Sequence, residues 1–173
     1  ADFIAKPFDM HEVIVARVER ILELSEGRQL IAAAEHDHIT GLYSRNFFIE
    51  YAGLIRQSRP DGKMDALVIN IEQFHAVNAL KSWNFGNEVL KALGAGIKAF
   101  LTETDGIAGR FDADRFSVYC AHQKNYGALL DRLQNEISAA FPNVSIRLRM
   151  GVMMWKEDVD LVSQFDRART ACN

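Results

Sequence analysis

The 173-residue chain is poor in the residues that build covalent or metal-held scaffolds, with two cysteines, five histidines and three prolines. Cys120 and Cys172 form no C-x-x-C pair and Cys120 lies in an apolar run. Both read as reduced, buried or incidental thiols, which excludes a disulfide framework and a thiolate zinc site. Neither sign of charge dominates: 20 Lys and Arg face 23 Asp and Glu, for a net charge of −3. Nothing in that balance draws the chain to nucleic acid or to an anionic membrane, and neither is expected as a partner. No apolar run approaches the roughly 20 residues of a membrane span, and no signal-peptide layout opens the chain, so a cytoplasmic location is expected. There is no repeat, no low-complexity segment and no P-loop. The Gly-Ala-Gly at 94–96 falls inside a helical pattern rather than at a helix start, where it would be needed to cradle phosphate.

Catalytic combinations are equally sparse. No Ser-His-Asp or Cys-His arrangement is discernible. His36, Asp37 and His38 suggest a metal hydrolase, but the remaining ligands are missing. His11, His75 and His122 stand alone and read as surface residues.

What is present is an ordinary globular composition, 49% hydrophobic and 25% charged, enough for one full domain and an appendage. The abrupt opening "ADFIAKPF" and ending "RARTACN" suggest a piece of a longer protein. Residues 9–35 read as one long helix capped by Asp9, with Ile14, Arg17, Ile21, Leu24, Arg28 and Ile31 on a heptad-like seam that is able to dimerise. Ser44 is placed to cap a helix running to about Ser58. "DALVINIEQF" reads as a central strand, apolar on both faces at first; further on, Asn70 and Glu72 share one face. A short helix over "HAVNALK" and a longer one from 87 to about 102 follow, the latter with Val89, Leu90, Leu93, Ile97 and Phe100 at helical spacing. "GIAGRFD" and "DRFSVYCA" predict a hairpin, and "YGALLDRLQNEISAAF" an amphipathic helix. "VSIRLRMGVMMW" predicts a strand with Ile146, Leu148, Met150, Val152 and Met154 on one face. A last helix is expected over about 160–171. The interleaving gives an α+β fold, a central, mainly antiparallel sheet flanked by helices, with a long N-terminal linker helix.

The strand ending "NIEQF" and the hairpin tip "FDADR" form the best chemical constellation. Two neighbouring strand ends can offer acidic groups to one hydrated Mg²⁺ on nucleotide phosphates, an arrangement suited to phosphoryl or nucleotidyl transfer. A polar hairpin tip beside a strand end fits the same residues.

Three motifs in order resemble the GGDEF family of diguanylate cyclases, which condense two GTP molecules into cyclic di-GMP. "DHITGLYSRNFF" is similar to the opening D-x-L-T-G-L-x-N-R-x-x-F, with Asp37, Thr40, Gly41, Leu42, Arg45 and Phe48 in step. "NIEQFHAVNALKSWNFGNEVL" resembles D-I-D-x-F-K-x-I-N-D-x-x-G-H-x-x-G-D-x-x-L, and "RFDADRF" falls on R-x-G-G-D-E-F. The resemblance spans 36–173. It implies metal positions at Asp114 and the Ile71 carbonyl, with Glu72 as a further candidate, and vestigial catalytic positions at Asn70, Asp114 and Arg115. It implies nucleotide contacts at Asn78, Asn87, Phe74 and Arg115.

The departures fall on the chemistry. Asn70 replaces an aspartate and removes one anionic ligand. Arg115 replaces a glutamate. At an effective dielectric near 20 and a separation near 5 Å, its charge would repel a dication by roughly 6–7 kcal/mol. Asp112 and Ala113 fill glycine positions, where a left-handed turn is expected to suit alanine badly. Asn87 stands for an aspartate, so one donor replaces an acceptor toward guanine. His75 replaces a lysine, and Ser82-Trp83 replaces Gly-His, which brings a bulky ring to the purine pocket. The product-inhibition R-x-x-D would run from Glu103 to Gly106 and is absent. A domain without catalytic residues is therefore expected, in which Mg²⁺ and GTP binding do not follow from the motif.

"FIAKPFDMHEVIVARVERIL" resembles the C-terminal end of a response-regulator receiver, with Lys6-Pro7 as its lysine–proline pair. This divides the chain into a receiver remnant at 1–8, the last receiver helix and linker helix at 9–35, and the GGDEF-like domain. The implied role is regulatory, relaying receiver state in two-component and cyclic di-GMP signalling. The implied partners are an adjacent receiver, a homodimer mate through the N-terminal helix, and a C-terminal phosphodiesterase domain. A GTP-binding sensor and a residual cyclase are the alternatives.

Overall fold

A computed structural model describes residues 34–59 and 62–173. The receiver-like segment at 1–8, and the 9–35 helix with its seam except for its last two residues, lie outside them.

The eight residues Met64–Ile71 form β2, and all but Asn70 are buried. Such continuous burial belongs to a strand covered on both faces. β2 pairs antiparallel with β4 (Arg115–Ala121) on one side and with β5 (Leu148–Met153) on the other. β3 (Gly106–Arg110) pairs antiparallel with β4, and the two-residue β1 (Tyr43–Ser44) adds parallel to β3. The strand order is β1-β3-β4-β2-β5, so the expected, mainly antiparallel central sheet is present.

Alternation along β2 sorts side chains to two cores. Leu67, Ile69 and Ile71 pack with Val89, Leu90, Leu93 and Ile97 of α3 (Trp83–Glu103) and with Leu133 and Ile137 of α4 (Gly127–Ala140). Ala66 and Val68 pack on the other face with Phe48 and Ala52 of α1 (Arg45–Ser58) and with Ala168 and Cys172 of α5 (Leu161–Cys172). The approach of α5 is close: a Cβ on Gly151 would lie 2.0 Å from the Ala168 carbonyl oxygen. The short α2 (Phe74–Leu80) follows β2 directly and inserts Phe74 into the first core.

One fully buried carboxylate joins three segments at the start of β2. Asp65 accepts from the Trp155 amide at 2.6 Å and the Tyr126 hydroxyl at 2.6 Å, and pairs with His122 Nδ1 at 2.8 Å. Those partners offset the cost of burying it. Beside it, burial pushes the Cys120 thiol up to about 11 against a smaller lowering by the Tyr126 hydroxyl. Cys172 is buried as well.

Two expectations are corrected. α3 begins at Trp83, four residues before 87, because the Ser82 hydroxyl accepts from the Phe85 amide at 3.1 Å and caps the helix there. Met154 is 48% exposed and is not part of the core stripe. β5 ends at Met153, and the next amide but one is taken by Asp65, which turns the chain off the sheet. Among the described residues, no helix is long and apolar enough to cross a membrane.

Candidate functional site

The β3–β4 tip, residues 111–114, stands beside the C-terminal end of β2 and is held from both sides. The Ile71 amide donates to the Asp114 carbonyl at 3.3 Å, and the Phe111 amide donates to the Arg115 carbonyl at 2.9 Å. From the β1 side Arg110 reaches the Asp37 carboxylate at 3.0 and 3.2 Å, while its other nitrogen donates to the Ala113 carbonyl at 2.7 Å. Thr40 adds its amide and its hydroxyl to Asp37, each at 2.8 Å. Burial alone would raise the Asp37 carboxyl. The Thr40 hydrogen bonds and the Arg110 charge outweigh it and hold the group below its ordinary value. The opening and signature motifs thus meet physically: Asp37 and Thr40 set the arginine that sets the tip.

The tip itself contains no left-handed residue. Among described non-glycine residues only Gln73 and Asp158 have positive φ. The expected strain at Ala113 is therefore absent, because the backbone turns without the conformation that glycine favours.

The tip separates two cavities. Ala113 and Asp114 line a cleft of about 300 Å³ with Phe74, His75, Asn78 and Trp83. Asp112 and Arg115 line a second cavity instead, and the Arg115 guanidinium pairs with Asp112 at 3.1 Å. Of the four nucleotide candidates, Phe74 and Asn78 meet in the first cleft, Arg115 opens on the other side, and Asn87 lines neither. Asn78 owes its position to Gly86: a Cβ there would fall 1.8 Å from the Asn78 amide oxygen, which is buried without a hydrogen-bond partner.

The residues at the metal positions do not suit a hard dication. Asn70 faces Arg115 across the strands in register, and its amide oxygen is buried without a partner. Glu72 is engaged by Arg149, which also donates to the Asn173 carbonyl. Asp114 is left as the anionic donor, while the Arg115 guanidinium that follows it opens on the other cavity. Among the described residues, no group of three His, Cys, Asp or Glu side chains is placed to hold a metal. Hard divalent ions are held by several anionic or carbonyl oxygens, and of the two carboxylates in this set Glu72 is already paired with Arg149.

A family model described as "Diguanylate cyclase, GGDEF domain" matches residues 34–173. The chain belongs to the GGDEF family. This GGDEF domain has no match among curated proteins, but solved structures share its fold. The coiled coil and GGDEF domain of DgcB from Caulobacter crescentus, in complex with c-di-GMP, is 16% identical with a TM-score of 0.78, covering 95% of this chain and 93% of that one. The GGDEF domain of FimX from Pseudomonas aeruginosa is 18% identical with a TM-score of 0.67, over 81% and 92%. The S helix–GGDEF–EAL portion of Vibrio cholerae LapD, bound to c-di-GMP, is 16% identical with a TM-score of 0.70, covering 87% of this GGDEF chain and 36% of that one.

Reasoning from sequence did not find the second cavity or that Arg45 and Arg169 line it together. These arginines stand on helices more than 100 residues apart, and only the packing of α1 and α5 on one sheet face unites them.

Proposed function

We propose that this GGDEF domain is a non-catalytic regulatory module of cyclic di-GMP signalling, relaying the state of an adjoining receiver to a partner or a downstream domain. The observation that carries the reading is the Arg115–Asp112 pair. A guanidinium occupies the place of an acidic signature residue and takes the neighbouring carboxylate for itself. Asn70 adds no charge, and Glu72 is held by Arg149. Phosphoryl transfer depends on positioning and charge neutralisation around the phosphates, and with Asn70 uncharged, Glu72 paired with Arg149 and Arg115 turned to Asp112, these positions offer a metal little beyond Asp114. The receiver-like opening of the chain supports the relay. So does the segment order of Vibrio cholerae LapD, in which GGDEF stands between an S helix and EAL. A homodimer through the N-terminal helix and a phosphodiesterase domain after residue 173 complete this proposal. Incubation of the purified chain with GTP and Mg²⁺ or Mn²⁺ is expected to yield no cyclic di-GMP by chromatography. Clear turnover would overturn the reading.

The Asn78 cleft favours a second reading, a GTP-binding sensor. Its 300 Å³ and the buried Phe74 beside Asn78 suit a purine ring. Calorimetric titration with GTP, with and without Mg²⁺, tests it. Metal-independent binding that Asn78→Ala abolishes supports the sensor, and the absence of binding heat eliminates it.

A further inference from the structure

The cavity on the other side of the tip enters the readings above only through the Arg115–Asp112 pair on its wall. It lies between α1 and α5, measures about 210 Å³, and has Phe48, Val68 and Phe165 among the residues that line it. Phe48 meets the rings of Phe111 and Phe165 edge-on, with centroids 5.2 and 5.4 Å away. Ser117, 2% exposed, also lines the wall. At the mouth Ile49 and Val162 remain 45% and 68% exposed.

Three arginines line this aromatic space. Two are matched by carboxylates that also line it: Arg115 by Asp112 at 3.1 Å, and Arg169 by Asp166 at 3.0 Å. Arg45 has no carboxylate partner among the described residues, and its guanidinium carbon stands 5.7 Å from the centroid of the Phe111 ring. The cavity therefore combines an apolar interior with one uncompensated positive charge. A dry apolar cavity of about 150 Å³ accepts benzene, so the present space takes a six-membered ring and a short chain. A phosphate-rich ligand would meet Asp112 and Asp166, and a neutral one would leave the free guanidinium unused.

We propose that this cavity binds a small aromatic monocarboxylate, with its ring among Phe48, Phe111 and Phe165 and its carboxylate on Arg45. Such a site is independent of catalytic competence and of the Asn78 cleft. Isothermal titration of the whole chain at pH 7 with 3-phenylpropionate is expected to give saturable one-to-one binding. The uncharged 3-phenylpropionamide and the ring-free acetate are expected to bind at least about tenfold more weakly. Arg45→Gln should weaken phenylpropionate about tenfold, while Lys91→Gln on α3 should leave it unchanged. Circular dichroism establishes that both variants are folded. Equal affinity for the amide, equal affinity in Arg45→Gln, or no saturable heat at millimolar ligand would each overturn the proposal.

Discussion

Two arginines of one hairpin, only a few residues apart, form ion pairs of opposite weight. Arg110–Asp37 has side chains 12% and 17% exposed and is tied into Thr40 and the Ala113 carbonyl, whereas Arg115–Asp112 is 34% and 50% exposed and spans three residues of one turn. Burial and additional hydrogen bonds turn the first pair into a clamp. Solvent leaves the second mainly to decide where a charge points. The teaching is that a family frame can be kept by a buried pair while the exposed chemistry beside it is exchanged.

The sharpest way to break this comparison is Arg110→Ala. It strands a partly buried carboxylate and frees the tip, and a loss of roughly 3 kcal/mol is expected in denaturant unfolding. A smaller effect is expected from Gly86→Ala. Its Cβ would displace the Asn78 amide, costing about 1–2 kcal/mol and altering the Asn78 cleft while leaving the clamp intact. Spectral changes confined to residues around Asn78 would establish that separation. Asp37 gives a pH signature. Its folded value is depressed, so its contribution is complete above the ordinary carboxylate value and is lost as pH falls through the lowered one. The unfolding midpoint of the native chain should therefore drop below about pH 4 more steeply than that of Asp37→Asn. Least of all should be Arg115→Ala, at less than about 1 kcal/mol in the same unfolding assay. An Arg115 effect as large as that of Arg110 would erase the distinction.

Much of this frame is visible in the residues. The unbroken apolar run of β2, the 3.6-residue spacing of Val89, Leu93 and Ile97, and the hairpin around 112–114 each have a local cause. The start of α3 was missed, because the Trp-Asn-Phe-Gly run after the capping Ser82 carries no apolar helical spacing. The site was readable as a set of positions rather than as directions. Asn78 and Asp114 do share a cleft, yet Arg115 faces the other way because strand alternation sends it to the α1–α5 side with Ser117. The tip was expected to need left-handed backbone. Four residues between paired strands turn without it, and no residue type alone reveals which turn is adopted. Contacts such as Asp65 with Trp155, 90 residues apart, exist only once the sheet has formed.

The burial of both cysteines has a practical consequence. With Cys120 pushed up to about 11, roughly one molecule in ten thousand carries its thiolate at pH 7, and Cys172 is raised as well. Thiol-directed dyes should therefore pass over the native chain, and a single cysteine introduced at the exposed Ala113 would report on the tip without any background removal.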